Sequence, residues 1–355
     1  METRRGISST GHPHPSSTCW ANRWRSWRSA SRFLGPWPFA VVTETMQTAP
    51  TAKSRKLNSI IRAGGLIVSL AALVFVGLAI HRSFGDLQRQ LISPFFMIAI
   101  PGCALAYAVI LQLVGIAWYR FLVAVDGPSL GLGRALGIFG KTQIYKYLPS
   151  NVMHMVGRFA LARNAGASNK ALAFAQIGEL SIIILAAGTL AALLAWPVFQ
   201  DAYARYGLDN PRLLAGIIAA GLLALAVGTA LLFRFRIAGI GRRALIASAE
   251  AFLLYALFFI GNGLLIVALS RTLDDAGHVA ELVGIGAAAW LIGFVVPGAP
   301  GGLGVREAVL IMGLTAAGLP PPAATAIALG NRLVTVLGDC LVALVELILQ
   351  KGKRA

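Results

Sequence analysis

The sequence predicts an all-α, polytopic membrane protein with about six full transmembrane helices and two broken or re-entrant helix hairpins, arranged so as to permit an inverted-topology repeat. Three observations lead there. Of 355 residues, 57% are hydrophobic and 13% charged, whereas a soluble domain is about a quarter charged. Several apolar runs reach the roughly 20 residues that carry a helix across a hydrocarbon core, where every backbone polar group must be satisfied internally. The basic residues behind the formal net charge of +17 fall in short clusters between those runs, as expected of cytoplasmic loops beside anionic lipid.

Taken in order, residues 1–57 form a basic N-terminal segment expected to be disordered, in which Trp20, Trp24, Trp27 and Trp37 stand among arginines, serines and prolines without periodicity. No apolar stretch followed by a small-residue cleavage site marks a signal peptide. Met46 opens a polar, basic lead into the first span, so translation is expected to begin there, with residues 1–45 lying upstream of the true start. The transmembrane region then runs over 58–350, with full spans at 58–80, 94–118, 171–197, 212–233, 244–269 and 323–350, and residues 351–355 form a basic tail. Two further apolar regions cannot be single helices. Residues 131–165 hold Lys141, Lys146, Pro149 and Arg158, and residues 281–319 hold VVPGAPGGLGVRE; proline interrupts the hydrogen-bond ladder, and such backbone is tolerated at membrane depth only inside protein or beside water.

Lys and Arg cluster at 53–62, 120–134, 141–170, 234–243 and 351–354, while the opposite loops carry Arg82, Arg89, Arg205, Arg212 and Arg271 with Asp201, Asp209, Asp274 and Asp275. Both termini are therefore expected in the cytoplasm of a cell with a bacterial-type inner membrane. In this layout two spans, a hairpin and a span are followed by the same series entered from the other side. Pro149 precedes Arg158 at the spacing by which Pro297 precedes Arg306, and AFAQIGEL aligns with AIALGNRL so that Glu179 matches Arg332.

Nucleic acid as a partner would need a basic face on a soluble module, and none is visible. Cys19, Cys103 and Cys340 suggest neither a disulfide framework nor a zinc site, and the histidines are scattered, so neither a metal nor a cofactor is expected. Ionisable residues near a bilayer centre cost roughly 2.5–3.5 kcal/mol on insertion scales and usually face a cavity or a partner. Glu179, Arg332 and Asp339 are such residues, and Arg332, Asp339 and Glu346 share one face of the last span. The alternatives are a polar pathway or a structural neutralisation in which Arg332 and Asp339 balance Glu179 and another helix. Gly301, Gly302 and Gly304 allow a bent backbone ahead of Arg306 and Glu307. Free amides at the following helix start, with Arg306, would suit a phosphate; the plainer alternative is a turn closed by an Arg306–Glu307 ion pair. Lys141, Lys146 and Arg158, with Tyr145 and Tyr147, suit a headgroup zone or an interfacial aromatic belt. Asn262 and Gln176 read as interhelical hydrogen bonds.

Three of these stretches, KYLPSNVMHMVGR, PGAPGGLGVRE and NRLVTVLGD, resemble the signature segments of the lysylphosphatidylglycerol synthase transmembrane-region family, the flippase-like domain, over about residues 58–350. Ser150 stands where that pattern has a glycine, which puts the geometry of that turn in doubt. The resemblance implies movement of an aminoacylated phospholipid, or a related polyprenyl-linked or glycolipid intermediate, between leaflets. Because the chain ends at Lys351, Lys353 and Arg354 without the aminoacyltransferase domain of bifunctional members, a separately encoded lipid-modifying enzyme is the expected partner besides membrane lipids. Two rival expectations stand beside it. One is a polyprenyl-phosphate-dependent glycosyltransferase or its accessory subunit, which the sequence serves poorly because no outer loop offers a convincing catalytic carboxylate. The other is a small-solute transporter, which an inverted repeat also allows.

Overall fold

The computed structural model describes residues 93–147, 153–198, 241–273, 278–296 and 300–352, with positions 74, 76–78, 81 and 200 besides. The expected spans at 58–80 and 212–233, Pro149, Ser150, Pro297, the Met46 start and the acidic loop residues fall outside them, wholly or in large part.

Every described element is helical: α1 (Pro94–Asp126), α2 (Leu132–Thr142), a 3-10 turn (Gln143–Tyr147), α3 (Met153–Asn164), α4 (Asn169–Leu194), α5 (Gly241–Arg271), α6 (Val279–Val295), a second 3-10 turn (Pro300–Gly302), α7 (Val305–Ala316) and α8 (Pro321–Gly352). Three of them, α1, α4 and α5, are long and apolar enough to cross a membrane, which fits an α-helical membrane protein. Their outer faces agree with this. Phe95, Ile98, Leu105 and Val109 on α1, Leu253 and Leu257 on α5, and Leu344, Leu347 and Ile348 on α8 are all exposed, an apolar area far beyond the scattered residues a monomer shows to water.

The breaks fall where proline and glycine put them. Helix α1 opens with Pro94 in its first turn and stops at Gly127, whose φ is 67°, a conformation costly to any residue with a Cβ. The two regions expected to be broken are each a helix, a 3-10 turn and a second helix. The second helix of each hairpin closes in the same way. The Ala167 amide donates to Ala162 across Gly166, and the Leu319 amide donates to Leu314 across Gly318, with φ of 103° and 96° at the two glycines; these are Schellman closures. Ser168 then caps α4, its hydroxyl accepting from the Ala171 amide at 3.1 Å and donating to Asp126 at 2.6 Å, which ties the end of α1 to the start of α4.

Helices α1 and α5 form the central pair. Helix α1 also packs on α2, α4 and α8, and α5 on α6, α4 and α8, while α4 lies against α6 and α8 against α2. Close approach depends on glycine at two places. A Cβ on Gly263 would stand 2.6 Å from the Val283 Cα, and one on Gly284 would stand 2.6 Å from the Ala195 nitrogen.

Candidate functional site

The two hairpin turns meet beside α8. Among the described residues the 3-10 turn Gln143–Tyr147 contacts the turn Pro300–Gly302, and α8 joins them through two charged side chains. Asp339, fully buried, accepts from Lys146 Nζ at 2.7 Å and from the Tyr147 hydroxyl at 2.5 Å. One heptad earlier, Arg332 donates from Nη1 to the Gly301 carbonyl at 3.0 Å and stands over the Tyr147 ring. The two contacts of Asp339 span nearly 200 residues of sequence, yet both are short and largely out of water, where charge-assisted hydrogen bonds are strongest.

Glu307 is held in two directions. Its Oε2 accepts the Gly304 amide at 2.7 Å, capping α7, and its Oε1 lies 3.3 Å from Arg332 Nε. A carboxylate is favoured at a helix N-terminus by the local partial positive charge. The position expected to receive a phosphate is therefore partly filled by the protein's own carboxylate, and the acid pairs with Arg332 rather than with Arg306.

Arg306 takes a different course. A Cβ on Gly293 would fall 2.2 Å from its Cγ, and one on Gly302 would fall 2.7 Å from its Nε. The two glycines thus form a slot that only bare backbone can provide, through which Arg306 reaches the Trp290 ring, 5.3 Å from its centroid. The glycine-rich segment cradles an arginine side chain. Beyond it lies a cavity of about 30 Å³ lined by Tyr107, Asn262, Trp290, Arg306, Asn331 and Arg332, among others.

Arg158 and Glu179 form a second centre. Arg158 Nη2 lies 3.0 Å from Glu179 Oε1, and the guanidinium sits between the rings of Trp118 and Phe139 at 5.1 and 5.2 Å. The pair is nearly out of contact with solvent, at 1% and 4% exposure. Glu179 is thus neutralised by Arg158, one helix away, and not by Arg332. Buried tyrosines face the two centres crosswise: Tyr107 of α1 stands within electrostatic reach of Arg306, Arg332 and Asp339, and Tyr255 of α5 within reach of Arg158 and Glu179.

Of the residues singled out from sequence, Lys146, Gly301, Gly302, Gly304, Arg306, Glu307, Arg332 and Asp339 come together, Arg158 and Glu179 stand as a separate pair, and Lys141 lies half-buried at the last turn of α2. Glu346 packs against Gly137 and Gly140 of α2. Asn262 and Gln176 do not make the interhelical hydrogen bonds expected of them: Asn262 Oδ1 and Gln176 Nε2 are buried without a partner among the described residues. Tyr107, Trp290 and Asn331 are site residues that sequence reasoning missed. A lone aromatic in an apolar helix reads as core; Asn331, adjoining Arg332 in a membrane-length run, was the one available signal. Among the described residues no group of His, Cys, Asp and Glu could hold a metal ion. No family model matches the chain, and no curated protein or solved structure matches it.

Proposed function

We propose that the chain is an integral inner-membrane protein that binds the anionic headgroup of a phospholipid or lipid-linked intermediate and carries it between leaflets, as the flippase-like family resembled by its three signature stretches would. One observation supports this above the rest. Two broken hairpins converge on α8 inside an apolar-faced helical assembly, and there, among the described residues, three cations, Lys146, Arg306 and Arg332, meet two acids, Glu307 and Asp339. A surplus of partly buried positive charge on interrupted backbone is suited to an anion crossing the bilayer.

On this reading six full spans and the two hairpins make an inverted repeat with both termini cytoplasmic. The matched hairpins, their twin glycine closures and the crosswise tyrosines favour it. Helix bounds set the match between the hairpins differently from the prolines. Helices α3 and α7 are both 12 residues long, and Arg158 lies about one turn deeper in its helix than Arg306 does.

The headgroup would pass Lys141, Lys146 and Arg158 and meet Arg306 and Arg332, its acyl chains remaining in lipid. A cavity of about 30 Å³ has room for about two water-sized spheres at roughly 10–15 Å³ each, so passage of a headgroup requires the hairpin turns to part, breaking the Lys146–Asp339 and Arg332–Gly301 contacts. The same small volume favours one other reading, transport of a small solute.

The test is reconstitution in liposomes with headgroup-labelled aminoacyl, glycosyl and polyprenyl lipids. Accelerated crossing that Arg306→Gln abolishes supports the reading. Crossing no faster than in protein-free liposomes for every lipid overturns it.

A further inference from the structure

Among the described residues the charges around Arg306 do not balance, and the acids near it, Glu307 and Asp339, are already engaged. Glu307 has one oxygen on the Gly304 amide and the other on Arg332; Asp339 accepts from Lys146 and Tyr147. Arg306 makes neither an ion pair nor a hydrogen bond among the described residues, and its contact is the face of Trp290. A guanidinium drawn largely out of water and left uncompensated is unfavourable, whereas the same group with a counter-charge is tolerated; Arg306 is partly buried. Arg158 shows the tolerated arrangement in this molecule, with Glu179 at 3.0 Å.

The polar atoms around Arg306 ask for the same thing. Arg306 Nε, Arg332 Nη2, Asn262 Oδ1 and Asn331 Oδ1 are all buried without a hydrogen-bond partner, and all four residues line the one cavity. Four such atoms around one space are not scattered packing defects, since buried polar groups are almost always satisfied. The side-chain amides can turn either end inward, because oxygen and nitrogen are assigned from the hydrogen bonds they make. With NH₂ groups inward, the cavity presents guanidinium and amide donors on several sides, which is a shell for an anion. Its small free volume, about 30 Å³, suits a small anion.

We infer that this cavity is a binding site for one small inorganic anion of halide size, which neutralises Arg306. The Trp290 face and the Gly293–Gly302 slot fix the guanidinium, Arg332 supplies a second positive charge, and Asn262 and Asn331 complete the shell. The site stands on local geometry and does not depend on lipid transport.

The experiment is a titration of the purified full chain in detergent, exchanged into sodium gluconate and then brought to increasing chloride or bromide at constant ionic strength. Thermal stability and tryptophan fluorescence are the readouts. The expected result is a saturable rise in Tm with either halide, and a saturable bromide quench of the fluorescence that Trp290→Phe removes. Arg306→Gln should lower halide affinity by about tenfold or more, the loss of one charge-assisted contact. Should that variant fail to fold, Asn331→Ala, which leaves every charge in place, must itself weaken halide binding. A non-saturating response, or the same affinity in Asn331→Ala, overturns the assignment. Saturable binding of inorganic phosphate or glycerol phosphate without halide binding overturns it too, and points to an oxyanion. No lipid substrate is present, so halide binding without lipid crossing, or the reverse, separates this inference from the transport reading.

Discussion

The two arginines of the hairpins should respond very unequally to the same substitution. Arg158 is 1% exposed and its one acidic partner, Glu179, is 4% exposed, with Oε2 already lacking a partner. Replacing Arg158 by Met leaves that carboxylate buried and unpaired, at a cost of about 3–5 kcal/mol. Loss of the stacking between Trp118 and Phe139 adds at most a further ~2 kcal/mol, part of which the Met thioether restores. Arg306→Met strands no acid, because Glu307 stays with Arg332 and the Gly304 amide. Only the contact with Trp290 changes, and removal of a desolvated charge offsets it, for a net effect of less than ~1 kcal/mol. Equilibrium unfolding in mixed micelles, in halide-free buffer, measures both. The double variant Arg158→Met/Glu179→Leu should recover to within about 1 kcal/mol of the parent, since an apolar pair of similar volume commonly replaces a buried ion pair without loss. Equal losses at Arg158 and Arg306, or a double variant whose loss is the sum of its singles, would refute the account of both centres.

Further outcomes follow from packing and capping. Gly263→Ala should lower stability by about 1–3 kcal/mol, because its Cβ would meet the Val283 backbone at 2.6 Å, whereas Gly102→Ala, with nothing within 4 Å, should be neutral or stabilising; thermal unfolding of the two variants compares them. Asp126→Ala removes the acceptor of both the Ser168 amide and hydroxyl and should cost about 1–2 kcal/mol, with earlier hydrogen exchange at the start of α4. In a background of Cys19→Ala, Cys103→Ala and Cys340→Ala, Ser129→Cys between α1 and α2 should react with an impermeant maleimide from the cytoplasmic side alone; labelling from the outside would reverse the orientation.

Interruptions were legible in the sequence and partnerships were not. Gly127, Gly166, Gly304 and Gly318 each carry a positive φ that a side chain resists, so the ends of the helices are written in single residues. The charged pairs of the two centres are different. Lys146 and Asp339 are separated by 193 residues, and nothing in the local pattern of either says that two hairpin turns will meet. The sequence offers Arg332 and Asp339 as neutralising partners for Glu179 and another helix, but α3 lies against α4 and delivers Arg158 to Glu179 instead. Likewise Arg306 and Glu307 are neighbours in sequence and diverge in space, because successive positions on a helix lie about 100° apart. One turns into the glycine slot and the other back to its own helix start.

That divergence has a consequence for how charge is stored in the molecule. Each cation of the two centres leans on an aromatic face: buried Arg158 on Trp118 and Phe139, and, partly buried, Arg306 on Trp290 and Arg332 and Lys146 on Tyr147. A ring face attracts a desolvated cation but supplies no full counter-charge. The rings therefore hold these side chains in place without quenching them, and the acids decide which stay closed. Where Glu179 completes the pair, the centre is neutral. Where Glu307 is drawn away to the start of α7, Arg306 remains held in position with its charge uncompensated, in the one centre built from both interrupted hairpins. Moving that acid is the discriminating change. Glu307→Gln should leave Arg332 and Arg306 both unbalanced, tighten anion binding severalfold in the halide titration, and destabilise the anion-free chain; a variant with unchanged affinity would show that Glu307 has no part in setting the charge of the cavity.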